Sequence, residues 1–227
     1  MISILYVQAL HAKDNSEYSR TYSILINGSV VGNERVVEKL NEAGQMVATS
    51  DHDIMITDGL VNKRMVFSTK MVFSKNSYDP ISYNYEYKEG NTGDSYEVLV
   101  KNDQIIRSLR RGGRSSEITA HFTPGMVILD YNVYHQYDYL IRKYNKKKGG
   151  KQSFADFLPI IGLDIPISLT FLGDSSLKFN NKVLPVKNFR IEFVGIGTLS
   201  VDKDDRLVRL QIPSQDIEVI REDLLPQ

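Results

Sequence analysis

Apolar and polar residues alternate with a two-residue beat along most of this chain, the pattern of strands that bury one face. In "RMVFSTKMVFS", Met65, Phe67, Thr69, Met71 and Phe73 fall on one face, and Val66, Ser68, Lys70, Val72 and Ser74 on the other. "SYNYEYK" sets Tyr83, Tyr85 and Tyr87 against Ser82, Asn84 and Glu86, and "NFRIEF" sets Phe189, Ile191 and Phe193 against Asn188, Arg190 and Glu192. Turn residues punctuate the runs: Asn27-Gly28, Glu89-Gly90-Asn91, Lys101-Asn102-Asp103, Gly112-Gly113, Asn180-Asn181 and Lys203-Asp204-Asp205. Turns this closely spaced join antiparallel neighbours, because parallel strands need long crossovers. The expectation is an all-β protein built on a single strongly curved or barrel-like antiparallel sheet of ten or more strands. A sheet that wide curls or closes to bury its apolar face and protect its edges.

The beat changes once, in "ILDYNVYHQYDYLIRKYNKKKGGKQSF". Val133, Tyr137, Leu140, Ile141 and Tyr144 make an apolar stripe at helical spacing, which predicts a helix over about residues 133–145. Asp130 or Asn132 is the expected cap, Lys146, Lys147 and Lys148 suit the negative end of the dipole, and Gly149-Gly150 stop the helix. Asp138 and Arg142 stand four apart on another face, as a surface pair would. One amphipathic helix in a meander needs an apolar surface to cover, so it is expected over the concave face or mouth of the sheet.

Composition narrows the functions. The 227 residues are 41% hydrophobic and 25% charged, as in an ordinary globular protein. Lys plus Arg (28) cancels Asp plus Glu (28), so no overall field draws nucleic acid, and none is expected as a partner. The absence of cysteine removes disulfides, thiolate metal sites and thiol nucleophiles. Ile2, Ile4, Leu5, Tyr6 and Val7 lead into Val7-Gln8-Ala9, which carries small or compact residues where a signal peptidase reads. Residues 1–12 therefore read as a signal-peptide remnant and residues 13–227 as one antiparallel β domain. No later run approaches the ~18 apolar residues of a membrane-spanning helix. The expected product is exported, soluble in the periplasm or cell envelope, and has no transmembrane span.

Candidates for chemistry are few. The imidazoles are His11, His52, His121 and His135. In an extended strand His52 cannot share a face with its neighbours Asp51 and Asp53, whereas His121 and His135 can approach Asp130 at the strand-to-helix junction. No pair of histidines has metal-ligand spacing, and no nucleophile elbow, P-loop or dinucleotide fingerprint appears. The expectation is no catalytic residue, no metal and no cofactor, with a hydrolase as the third-ranked class. The apolar rows have two readings. They complete a filled core, or they line a cavity for a long apolar ligand, gated by the helix. In the second reading Met65, Phe67, Met71, Phe73, Tyr83, Tyr85, Tyr87, Tyr137, Leu140 and Tyr144 are the ligand-binding residues. "RSLRRGGRS" adds Arg107, Arg110, Arg111 and Arg114 as anion-binding candidates, although alternation sends Arg110 and Arg111 to opposite faces.

"YSILINGSVVGNERV", "PGMVILDYNVYHQYDYLIRKYN" and "VDKDDRLVRLQIPSQDIEVIRE" resemble an uncharacterised family of exported bacterial β-proteins, the domain-of-unknown-function 3108 type. The likeness covers most of the chain after residue 12, and its motifs are structural: two hairpins and the segment leading into the helix. It implies an architecture similar to that of the periplasmic lipoprotein carriers, and it brings no catalytic residue. The expected function is a binding protein that carries or senses an apolar or lipid-like small molecule. A ligand-free cell-envelope module with a protein partner is the alternative.

Overall fold

The computed structural model describes residues 17–58, 61–89, 92–179, 182–193 and 195–225. The signal-peptide reading, His11 and the Asn180-Asn181 turn lie outside them. Strand β1 (Tyr18–Ile26) turns into β2 (Ser29–Leu40) at Asn27-Gly28, whose φ angles of 51° and 74° are the left-handed pair that a two-residue hairpin needs. The meander continues through β3 (Met46–Asp58), β4 (Val61–Phe73), β5 (Pro80–Glu89), β6 (Thr92–Lys101), β7 (Gln104–Arg111) and β8 (Arg114–His121). Then come the short β9 (Val127–Ile128), helix α1 (Gln136–Lys143) and β10 (Lys151–Leu158). A second meander follows through β11 (Leu163–Phe179), β12 (Lys182–Glu192), β13 (Ile196–Val201), β14 (Leu207–Ile212) and β15 (Ile217–Arg221).

All 15 strands form one sheet, in the order β8-β7-β6-β5-β4-β3-β2-β1-β15-β14-β13-β12-β11-β10-β9. Every ladder is antiparallel except β9 with β10. The two edges, β8 and β9, are consecutive in the chain, and this forces the curvature. The six steps from His121 to Val127 reach at most about 22 Å, at ~3.3–3.6 Å per residue. Laid flat, the sheet would be about 67 Å wide at ~4.8 Å per strand. It therefore curls until its edges meet, although no ladder closes it. Side chains seal the seam instead: Ile118 and Ala120 of β8 share a core cluster with Ala155 and Phe157 of β10.

The alternation predicted for β4 and β5 is present: Phe67, Thr69, Met71, Phe73 and Tyr83 are buried on the concave face. Helix α1 fills that face, and Gln136 to Ile141 are all buried. Tyr137, Leu140, Ile141 and Tyr144 pack with Phe67, Phe189 and Leu199, while Tyr139 on another side packs with Met71, Phe73 and Phe157. A small third cluster (Val186, Val208, Ile220, Leu224) lies on the convex face.

The helix is shorter than its apolar stripe, because Asn132 takes a left-handed φ of 62° and two turns, at residues 131–132 and 134–135, precede it. The expected cap also differs. His135 precedes the helix and makes no side-chain cap; the Tyr137 and Asp138 N–H groups bond the carbonyls of Tyr134 (3.2 Å) and His135 (3.1 Å). The expected Asp138–Arg142 surface pair is replaced by a buried bond from Arg20 to Asp138.

The seam makes a paired prediction. Gly162 holds φ +72, and a Cβ there would lie 2.3 Å from Ile118 Cδ1 and 2.7 Å from Arg107 Nη1. Gly28 has a similar φ, +74, with nothing within 4 Å. Gly28→Ala should incur only backbone strain, about 1 kcal/mol, whereas Gly162→Ala must also push aside the tips of Ile118 and Arg107 across the seam and should lose up to about 1 kcal/mol more. Urea denaturation of both variants measures the difference, and equal losses would show that the seam is loose.

Candidate ligand-binding site

A helix enclosed by a sheet must have its polar groups bonded inside the protein. Glu34, on the concave face of β2, meets this need at the start of α1. Its carboxylate accepts the backbone N–H groups of Tyr134 (3.0 Å) and His135 (3.2 Å) and contacts His135 Nδ1 at 2.5 Å. It holds, from another strand, the turn just ahead of the helix, at the end where the dipole is positive. Arg20 of β1 donates from Nη2 to both Glu38 (2.9 Å) and Asp138 (2.7 Å). Arg206 donates to Glu38 (2.8 Å), and Leu207 N–H to Asp138 (2.6 Å). Burial opposes ionisation of Glu38, but Arg20 and Arg206 outweigh it and hold its pKa at about 2.

His52 lies on the concave face of β3, away from Asp51 and Asp53, as alternation requires. Its Nε2 bonds Ser50 Oγ at 2.7 Å and lies 3.6 Å from Glu34. Its ring stacks on Phe67 at 4.1 Å. Burial pushes its pKa down to about 4 against the pull of Glu34. Glu34, by contrast, stays below the ordinary carboxylate range: burial raises it, and His135 and His52 more than reverse this. Two histidines, a serine and a carboxylate thus converge, yet His52, His135 and Glu34 are at most 1% exposed. No substrate reaches them, and the cluster anchors the helix. His121 is exposed at the end of β8, and neither it nor His135 meets Asp130. Asp130 Oδ2 instead accepts Tyr83 Oη (2.8 Å) and Tyr96 Oη, and burial raises its pKa to about 6. Among the described residues no group of His, Cys, Asp and Glu could hold a metal ion.

Space remains at one end of the barrel. A hollow of about 340 Å³ lies among Lys63, Met65, Tyr85, Tyr87, Asp94, Tyr96, Leu109 and Arg111, with Ile160 reaching across the seam from the β10–β11 turn. Apart from Ile160, these residues are on the concave faces of four successive strands, β4 to β7, near the β7–β8 turn. Tyr85 stacks on Tyr96 at 4.6 Å and leans on Phe67 at 5.2 Å, so the wall is rigid. Burial raises the pKa of both Tyr85 and Tyr96 and keeps them neutral. Tyr96 Oη ties the wall to Asp130, just ahead of the helix.

The ten ligand candidates therefore separate. Met65, Tyr85 and Tyr87 line the hollow. Phe67, Tyr137, Leu140 and Tyr144 belong to one packed cluster and Met71, Phe73 and Tyr83 to the other. The arginines separate too. Arg107 is buried at the seam with its Nε unbonded, Arg110 faces out beside Glu97 and Glu117, and Arg111 lines the hollow. Arg114 is opposite Arg111 in the ladder and shares its face. The Lys146–Lys148 cluster belongs to the other end of the barrel, where Lys146 pairs with Asp205. The two basic clusters thus occupy opposite rims. Lys63, Tyr96, Leu109, Asp94 and Ile160 were not among the candidates. For the first four, the alternation of β4, β6 and β7 was the signal available; for Ile160, which arrives across the seam, there was none.

A larger depression of about 920 Å³ lies beside the start of β1, with Arg35, Asp202, Arg221 and Asp223 in its wall. Arg221 is already paired with Asp202 (2.7 Å) and Asp223 (2.8 Å), and the wall offers little apolar surface. It is a weaker ligand site than the aromatic hollow.

No protein-family model and no curated protein matches the chain. Among solved structures it is similar to a beta-barrel-like protein of the domain of unknown function DUF1849 from Brucella abortus. The TM-score is 0.59 at 7% identity, over 91% of this chain and 94% of that one. That likeness is one of fold: an uncharacterised barrel-like β architecture.

His52 gives the protein a measurable pH dependence. Its folded pKa of about 4 lies below its ordinary 6.5, so the folded state binds fewer protons in that window. The stability it contributes is complete above pH 6.5 and is lost as pH falls towards 4, by about 2–3 kcal/mol at ~1.36 kcal/mol per unit. Asp130 has a raised pKa and works in the opposite sense below pH 6, so the comparison must be between variants. In urea melts at pH 7 and pH 4.5, His52→Gln should lose less stability on acidification than the parent protein. An equal loss would show that His52 is already charged in the fold.

Proposed function

We propose that this protein carries or senses a small apolar or lipid-like molecule, held in the hollow between β4, β5, β6 and β7. The carrying observation is the hollow itself: about 340 Å³, walled by Met65, Tyr85, Tyr87, Tyr96 and Leu109, within the ~300–1,000 Å³ of small-molecule sites. Its size suits one short tail better than a lipid with several chains. Kinship with the domain-of-unknown-function 3108 type, likeness to the periplasmic lipoprotein carriers and export to the periplasm or cell envelope belong to the same proposal. They rest on the quoted hairpin and helix segments and on the apolar start of the chain.

One observation favours a second reading, a ligand-free envelope interaction module. The β10–β11 turn presents Ile160, Ile161 and Leu163 to solvent at 38%, 47% and 61% exposure, an apolar tip such as partners bind. Nothing comparable favours a hydrolase, whose histidine and carboxylate would have to meet in an open cleft.

Native mass spectrometry of protein purified from its own host, followed by organic extraction, tests for a bound molecule. In a fluorescent acyl-probe assay, Tyr87→Ala should weaken binding at least several-fold with little loss of stability. Leu140→Trp should overpack the filled core, losing about 1–3 kcal/mol, and leave the probe's affinity unchanged. Probe binding that survives Tyr87→Ala but is abolished by Leu140→Trp would move the site under the helix. A wild-type protein that neither binds the probe nor carries an extractable molecule would favour the interaction module.

A further inference from the structure

We infer that the occupant of the hollow is a single-tailed anionic amphiphile, its carboxylate or phosphate head taken at the mouth by Arg111 and Lys63 in place of Asp94. This rests on the ligand-binding reading above and adds the chemistry of the head, its orientation and an internal competitor.

Among the described residues, the charges that line the hollow are two cations, Lys63 and Arg111, and one anion, Asp94. Arg114, opposite Arg111 on the same face, adds a third cation at the rim. Arg111 Nε is 3.0 Å from Asp94, and the Arg111 side chain is 68% exposed. Such an exposed pair is weak, so an incoming anion displaces Asp94 at small cost. A carboxylate or phosphate presents two oxygens to the guanidinium fork, a geometry that favours arginine as its partner. Lys63 Nζ stands 5.9 Å from the centre of the Tyr87 ring, which places a second cation where the aromatic wall begins.

The inner end of the hollow has the opposite character. Tyr96 closes it, and behind Tyr96 Oη stands the Asp130 carboxylate, which also accepts Tyr83. An anionic head pushed inward would meet a buried carboxylate and apolar rings. A tail laid along Met65, Leu109 and the faces of Tyr85 and Tyr87 meets only compatible surface. The ligand therefore enters tail first and keeps its head at the Arg111 rim. Asp94, in the empty site, neutralises Arg111 and competes with the head.

Isothermal titration at low salt with decanoate, decyl phosphate, decanol and inorganic phosphate tests this. Both anionic amphiphiles should bind at least roughly tenfold more tightly than decanol, with an advantage that shrinks at high salt. Inorganic phosphate alone should bind far more weakly than decyl phosphate. Arg111→Met and Lys63→Met should bring decanoate towards the affinity of decanol, with thermal melts confirming the fold. Asp94→Asn should tighten decanoate several-fold and leave decanol unchanged, a gain that damage to the fold would not produce. Equal binding of decanoate and decanol, indifferent to these variants, would overturn the inference while leaving the carrier reading intact. Phosphate binding as tightly as decyl phosphate would overturn the amphiphile, and binding of none of the four would overturn both.

Discussion

The fold depends on Arg20, one guanidinium shared between the buried carboxylates of Glu38 and Asp138, towards the end of the barrel where β1 begins. Its constraint is simple: a helix surrounded by sheet has no water to solvate its polar side, so that side must be paired within the protein or not be polar. Asp138 is polar and completely buried, and Arg20 with the N–H of Leu207 resolves the conflict. A buried ion pair gains little net stability unless its remaining bonding capacity is filled. Here Glu38 also accepts Arg206 and Tyr139 Oη, and Arg20 Nε donates to Tyr22 Oη, which leaves Arg20 Nη1 buried without a bond. The lattice joins β1, β2, α1 and β14, the beginning, middle and end of the chain, and so fixes the depth at which the helix sits.

That depth decides what the concave face does. Where α1 lies, the sheet's inward side chains have partners and the space is filled. Beyond it, along β4 to β7, the same faces continue past the reach of the helix, and a hollow remains. Met65 and Phe67 show the division: they are two residues apart on one face, yet Phe67 is core under His52 and Met65 is wall. Whether an inward apolar residue is packed or borders open space is thus set by its position relative to the helix, not by its type.

This explains what the sequence disclosed. The Asn27-Gly28 hairpin, the Met65 to Phe73 row and the antiparallel meander are local, and local patterns carry them. The opposite faces of Arg110 and Arg111 were equally legible. The ion lattice was not. On β2, Glu34, Val36 and Glu38 alternate with Arg35 and Val37, and nothing in that run marks the glutamates as inward. Their partners lie 101 residues away at His135, and 118 residues separate Arg20 from Asp138. The helix was legible as a helix, but its start was not, because the turn ahead of it is held by Glu34 from another strand. Of the candidate site, Met65, Tyr85 and Tyr87 could be named as inward residues, whereas filled and empty space look alike in a pattern of alternation.

Helix α1 then has a consequence beyond its packing. Asp130 lies just before α1 and accepts both Tyr83 and Tyr96, the second of which closes the inner end of the hollow. Gln136, the first residue of the helix, accepts the Asp130 N–H through its side chain at 2.6 Å. The position of the helix therefore sets the position of the floor. A barrel-like sheet without such a plug would have a long greasy lumen and no defined depth. With α1 bolted in place by Arg20 and Glu34, the cavity is short, closed at one end by tyrosines on a buried carboxylate and edged at the other by Lys63, Arg111 and Asp94. The polar lattice that costs most to bury thus determines the length of tail the proposed site can accept.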